Sequence, residues 1–286
     1  MSAKRSVTIG LGTRNGSRYI REALDSLLAQ THKNFELVIS DNASTDNTRE
    51  ICEEYAKKDA RVRYVRQESN IGPAGNFNFL KGNAKSEFFM WASDDDKWAP
   101  AFIEKCLAAL DADPGAIVAV ANYVHFDDLG RTKKEYPKLF FPFRKDLYGR
   151  LKEFILFTIY GGKSVLICGL WRREKISDFH LHNGRHFDDT DFVFRCLSRG
   201  YFVLVDEVLF YKRTKVFALD AEVSFPIRVK RIASNIKMRG MLLCSPLYLP
   251  GMIYLASLKS LNVKERIKLM LWNLFAALRL FVMARP

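Results

Sequence analysis

The chain has no two cysteines close enough in sequence to share a metal or form a redox pair. Its five cysteines, Cys52, Cys106, Cys168, Cys196 and Cys244, are scattered, with no C-x-x-C among them. That excludes a zinc ribbon and a disulfide framework and suits a reducing compartment. Lys4 and Arg5 lead into Val7-Thr8-Ile9-Gly10, an apolar run too short for a secretory leader, so a cytoplasmic protein is expected. Neither common glycine pattern for phosphate is met. Gly10, Gly12 and Gly16 are spaced G-x-G-x-x-x-G, too long for the dinucleotide fingerprint. Gly162-Lys163-Ser164 resembles the end of a phosphate loop, but Phe157 stands where its first glycine belongs.

What is present describes a globular protein. The 286 residues are 48% hydrophobic and 27% charged, enough for one large or two modest domains. The net charge of +13 is unevenly placed. From Lys212 onward fourteen Lys or Arg face three acids, Asp220, Glu222 and Glu265, so a nearly neutral body carries a basic tail.

The stretch Phe88 to Pro100 reads FFMWASDDDKWAP. Phe88 to Ala92 has no polar alternation, as in a strand buried on both faces. Asp94, Asp95 and Asp96 follow at its end, where three adjacent carboxylates repel one another. A hard divalent cation relieves that repulsion, since Mg²⁺ and Mn²⁺ bind through one or two carboxylates plus substrate phosphates. The alternative is a solvated turn whose acids cap the helix after Pro100.

Short apolar runs and period-3.6 runs alternate through the first half. Strands are expected at Ser6 to Leu11, Phe35 to Ser40, Val62 to Val65 and Phe88 to Ala92. Helices are expected at Arg18 to Gln30, Thr48 to Lys58 (capped by Thr45 or Asp46) and Gly75 to Asn83, with a turn at Asn70-Ile71-Gly72. Alternation at this pace predicts a parallel sheet covered on both faces. Gly12 to Gly16, Asp41 and Asp94 to Asp96 then end three strands on one side, where open α/β sheets bind ligands. Further on, a helix is expected from Pro100 to Asp111, a strand at Ala116 to Phe126 and a long loop from Asp127 to Arg150. A helix at Leu151 to Tyr160, another from Phe187 toward Gly200, and strands at Tyr201 to Val205 and Val208 to Tyr211 complete the body.

Taken in order, Gly12-Thr13-Arg14-Asn15-Gly16, Ser26 to Thr31, Phe35 to Ile39 into Asp41 to Asp46, Asn70-Ile71-Gly72 and Ser93 to Asp96 resemble the family 2 glycosyltransferases. The resemblance covers Ser6 to Thr214 and is most specific up to Pro100. It implies a GT-A fold: an α/β, Rossmann-like, mostly parallel sheet sandwiched by helices, here with a C-terminal helical basic tail. It implies an inverting transferase, hexosyl or deoxyhexosyl, taking a UDP- or dTDP-linked sugar with Mn²⁺ or Mg²⁺. Residues 1–110 would form the nucleotide-sugar half, 111–215 the acceptor half and 216–286 a membrane-associating region.

The same resemblance assigns site residues. Thr13, Arg14, Asn15, Asp41, Asn70 and Asp94 fall in the nucleotide pocket, with Asp41 accepting from the base and Asp94 near the ribose. Arg14 replaces an aromatic residue of many relatives, and a planar guanidinium also stacks on a base. Asp95 is the metal ligand and Asp96 its support; Ser93 stands where many relatives have the motif's first Asp, which allows a shift of one. Asp188-Asp189 resembles the family's Glu-Asp pair, making Asp189 the general base, with Asp188 and Asp191 as alternatives and helix-dipole acids as the structural reading. Lys212 and Arg213, with Lys215, replace an Arg-and-His loop that closes over the pyrophosphate. His180, His182 and His186 lack the spacing of a closed zinc set.

The tail holds two apolar stretches, Gly240 to Leu258 without a charge and Ile267 to Ala284. Prolines 246 and 250 interrupt the first. Flanking lysines and arginines fit helices lying against anionic lipid, so a peripheral position at the inner membrane face is expected, and no nucleic acid partner. The acceptor is then a glycan or lipid-linked oligosaccharide of surface polysaccharide assembly. Two other readings remain: a non-catalytic sugar-nucleotide-binding module, and a nucleotidyltransferase.

Overall fold

The computed structural model describes residues 5–132, 144–157, 163–181, 188–214 and 257–283. Its centre is one eight-stranded sheet in the order β3-β2-β1-β4-β7-β6-β8-β5. The strands are β1 (Val7–Thr13), β2 (Phe35–Asp41), β3 (Val62–Arg66), β4 (Phe88–Ser93), β5 (Lys97–Trp98), β6 (Ala116–Phe126), β7 (Leu170–Arg172) and β8 (Tyr201–Arg213). Helices α1 (Ile20–Leu28), α2 (Thr48–Lys58), α3 (Gly72–Asn83), α4 (Phe102–Ala112), α5 (Leu147–Phe157) and α6 (Asp188–Cys196) pack around it. Helix α7 (Val263–Met283) ends the described chain.

Strands β3, β2, β1 and β4 are mutually parallel, as the alternating pattern predicts. β1 and β4 are almost wholly buried because helices cover both faces of the sheet. β7 then runs antiparallel to both β4 and β6, while β8 runs parallel to β6. At three residues β7 is too short to leave a periodic signal. The sheet continues without a break across residue 110, and β5 from the first half pairs with β8 at the far edge.

Several boundaries differ from the sequence expectation for local reasons. α1 is shorter than expected, beginning where the Gly16 carbonyl accepts both Tyr19 and Ile20 N–H groups. α3 starts at Gly72, because Gly72 takes φ +77° and Pro73 presets the first turn. α5 starts inside the expected loop, where the Asp146 carboxylate accepts the Gly149 N–H at 2.7 Å. The two strands expected between Tyr201 and Tyr211 are one, β8, with its register against β6 shifted near Ala121 and Asn122. The exposed Asp206-Glu207-Val208 there broke the pattern.

An aromatic cluster locks the sheet to α6. Trp91 of β4 meets Phe89 at 4.7 Å and Phe192 of α6 at 5.2 Å, edge to face. Trp171 of β7 meets the same Phe192 at 5.8 Å. Both indole N–H groups donate to carbonyls, of Phe77 and Ile167, so the rings are buried without a polar cost. α7 packs on α5 through Leu269, and Asn262 and Glu265 cap its start by exchanging backbone hydrogen bonds at 2.9 and 3.0 Å. Most of the charge-free stretch before Leu258 lies outside the described residues.

Candidate active site

Parallel pairing in register decides where the first residues of the site fall. Thr13 sits beside Asp41, and Gly12 beside Ser93, so the ends of β1, β2 and β4 open onto one crevice. The Thr13 hydroxyl and the Arg14 backbone N–H both donate to the Asp94 carboxylate. A Cβ on Gly16 would overlap that carboxylate and the Thr13 hydroxyl, which is why the loop needs glycine there.

The loop after β1 is stitched to the loop after β2. Asn15, at φ +55°, donates its N–H to Ser44 Oγ at 2.9 Å and accepts the Thr45 N–H at 2.8 Å. Gly16 N–H donates to Thr48 Oγ1 at 2.9 Å, and Ser17 N–H to Asp46 at 3.1 Å. Asp46 also accepts the Thr48 N–H at 3.1 Å and braces the entry to α2, whose N-cap position is Asn47, while Thr45 bonds Asn15. Burial disfavours its charge, but the Ser17 and Thr48 donors outweigh this and hold the carboxyl at about 2.

Asp41 is fully buried beneath these loops. It accepts the Ser44 N–H and the Tyr64 hydroxyl, each at 2.8 Å, with Arg66 at 3.6 Å. The Asn70 side chain accepts from Asn42 and from Gly72 N–H, bracing the turn into α3. Arg14 is exposed at the rim.

The three acids after β4 divide into different roles. Asp94 is held by Thr13; burial pushes its carboxyl up to about 6 against that hydrogen bond. Asp96 is 1% exposed and burial pushes it to about 6 as well, against the nearby Lys212 ammonium. It accepts the Arg213 N–H at 2.9 Å and faces Lys212 Nζ at 3.5 Å. Burial alone would weaken the Lys212 ammonium, but Asp96 offsets it and strengthens its hold on the proton. Asp95, between them, is half-buried.

Arg213 also comes to the acidic turn, though not as an open cation. Its guanidinium lies between the Tyr19 and Phe126 rings at 4.2 and 4.4 Å and pairs with Glu22 at 3.0 Å and Asp128 at 3.1 Å. Its Nε donates to the Asp95 carbonyl at 2.9 Å. It therefore clamps the end of β8 to the turn, and among the described residues Lys212 is the cation facing Asp96. The pattern gave no sign of this, because Glu22, Asp128 and Phe126 are distant in sequence. Lys215 lies outside the described residues.

The first turn of α6 completes the set. The Cys168 thiol is raised to about 12 by burial, with Lys212, Asp96, Asp189 and Asp95 within electrostatic range of it. Asp189 is half-buried. Asp191 is 5% exposed and pairs at 3.0 Å with Arg195, whose other arm donates to the His180 carbonyl at 2.7 Å. That is an i,i+4 ion pair within α6. The Asp188 side chain, His182 and His186 lie outside the described residues.

Among the described residues no group of three His, Cys, Asp or Glu side chains is placed to enclose a metal ion. Asp94 and Asp96 are engaged with protein donors. The donor set fits a cation held by Asp95 that takes its remaining ligands from a diphosphate and water, the usual habit of Mg²⁺.

The chain is 27% identical over 212 residues to glycosyltransferase GlyG of Streptococcus pneumoniae serotype 4, covering 70% of this chain and 68% of GlyG. Its fold is that of Staphylococcus aureus TarS 1-349 in complex with UDP-GlcNAc, with a TM-score of 0.64 at 19% identity over 96% of this chain and 73% of that one. Mannosyltransferase PcManGT of Pyrobaculum calidifontis, in complex with GDP-Man and Mn²⁺, aligns at a TM-score of 0.56 and 15% identity, over 99% of this chain and 74% of that one. The architecture is thus the GT-A type. The family model for glycosyl transferase family 2 matches residues 8–171, more than half the chain, and the protein belongs to that family.

Proposed function

We propose that this transferase moves a hexosyl or deoxyhexosyl group from a nucleoside-diphosphate sugar to a hydroxyl of a glycan or lipid-linked acceptor, with inversion. The observation that carries the reading is the meeting of the acidic turn after β4 with Lys212 and Arg213 of β8, on the side where β1, β2 and β4 end. Arg14, exposed beside the loops that the buried Asp41 braces, receives the base, for which uridine or thymidine is our expectation. Thr13 and Asp94 hold the ribose side of the donor, and Asn15 and Asn70 keep the surrounding loops in place.

Asp189 accepts the proton of the acceptor hydroxyl, a step that typically contributes about 10²–10⁴-fold. The oxygen forms its bond to the anomeric carbon from the face opposite the diphosphate, and the bond to the diphosphate breaks. Lys212, kept charged by Asp96, neutralises the departing oxygen. Asp95 would hold a Mn²⁺ or Mg²⁺ ion, which would supply further positive charge for the leaving diphosphate. Such a donor and acceptor suit surface polysaccharide assembly at the cytoplasmic membrane face.

A thermal-shift panel of nucleotide sugars with Mn²⁺ tests the donor class. A ligand at a hundred times its Kd adds about 2.7 kcal/mol, so the true donor stands out. Asp95→Ala should remove the Mn²⁺-dependent part of the shift. The nucleotide released on turnover then separates the readings: a nucleoside diphosphate supports transfer, pyrophosphate would mark a nucleotidyltransferase, and binding without turnover would mark a non-catalytic module.

A further inference from the structure

We infer that α7 is a membrane-docking helix that lies flat on an anionic lipid surface. One face of α7 is spoken for. Leu269 is fully buried, Asn273 is buried, and Trp272 packs on the core with Lys152 of α5 at 5.0 Å from its ring. The other face is apolar and open. Val263 is 62% exposed, Ile267 52%, Leu271 60% and Phe275 49%. A helix whose only task was to cover α5 would carry polar residues on that side.

The charges on the same side identify the occupant. Lys264 and Lys268 are exposed, three residues before Ile267 and Leu271 and therefore next to them on the helix surface. Lys259 is exposed just before the helix. Glu265, the nearby acid, is turned into the capping exchange with Asn262. From residue 257 onward six Lys or Arg face that one acid. Apolar side chains interleaved with lysine stems are the pattern of an interfacial helix, whose lysines reach the headgroups while the apolar stripe enters the acyl boundary. Among the described residues no helix is long and apolar enough to cross a membrane, so α7 would lie on the surface.

A second copy of the chain is the other candidate occupant, and the spacing disfavours it. Residues four apart drift about 40° per step around a helix of 3.6 residues per turn, so the stripe winds instead of forming the straight seam of a coiled coil. A fluid lipid surface accepts a winding stripe. The docking also has a mechanical consequence: α7 packs on α5, and Phe154 of α5 stacks on Phe194 of α6 at 5.7 Å. A lipid-held α7 thus fixes the distance from the bilayer to the helix bearing Asp189.

The inference stands on α7 and does not depend on the transfer reaction. Its test is flotation of the full chain with phosphatidylcholine vesicles, alone or with anionic phosphatidylglycerol, at low and high salt. The protein should float with the anionic vesicles and be released by salt. Lys264→Gln with Lys268→Gln should weaken partitioning roughly fivefold for each lysine removed. Ile267→Glu with Leu271→Glu should abolish it, while the nucleotide-dependent thermal shift stays at the wild-type value and shows the variant folded. Flotation that is absent, or equal for wild type and both variants, overturns the inference. So does light scattering that shows a dimer broken by Leu271→Glu without any vesicle binding, since the stripe is then covered by a second copy.

Discussion

The Asp96 carboxylate accepts the backbone N–H of Arg213 at 2.9 Å, joining the acidic turn after β4 to the last residue of β8 across 117 positions of chain. The bond also holds Lys212 beside the acids, so structure and charge neutralisation share one carboxylate. Asp96→Ala leaves a buried N–H and a buried ammonium without that acceptor, and such a group costs about 1–3 kcal/mol. Urea unfolding should show a lower midpoint at unchanged slope. A midpoint equal to wild type would show that the tie carries no stability.

Asp189 and Asp191 lie two residues apart yet should behave oppositely. Asp189→Asn is expected to lower kcat by about 10²–10⁴-fold with the melting temperature and donor Kd held. Asp191→Asn weakens the buried pair with Arg195 and should lower the melting temperature, with kcat reduced less. Pre-steady-state transfer and calorimetry on the two variants read this directly. Transfer that survives Asp189→Asn removes the base from this position.

Asp46 predicts an acid limb of stability. Its carboxyl is lowered to about 2 in the folded chain against 3.8 unfolded, so the unfolded state binds more protons between those values. The contribution is therefore present above the unfolded value and is lost as the pH falls toward about 2. Asp46→Asn should flatten the pH dependence of the melting temperature below pH 4 and cost about 1 kcal/mol of bracing at the entry to α2 at neutral pH. An unchanged acid limb would locate the sensitivity elsewhere.

Gly16 is fixed by what its missing side chain would meet. Gly16→Ala drives a methyl into the Thr13–Asp94 hydrogen bond. Overpacking of this kind costs roughly 1–3 kcal/mol. The loss should appear as weaker donor binding in a thermal-shift titration, because we propose that the displaced pair holds the ribose side of the donor. Donor affinity at the wild-type level would mean the loop relaxes freely.

The sequence alone determined the parallel half of the sheet, since unbroken apolar strands and period-3.6 helices each carry their own local signal. It also determined that Asp41 and Asp94 share an edge, because parallel strands align their carboxyl ends. It was silent on β7, three residues long, and on the continuity of β8, whose bulge exposes Asp206 to Val208 and hides the strand's period. The roles within each acidic group were decided only by tertiary contact. Asp94, Asp95 and Asp96 are chemically identical in the sequence, and they differ because Thr13 arrives at one and β8 at another. Arg213 likewise became a clamp because two aromatic rings and two acids, distant along the chain, meet around it. Local pattern reports what a residue can do; the burial and partners that decide what it does come from segments far away in sequence.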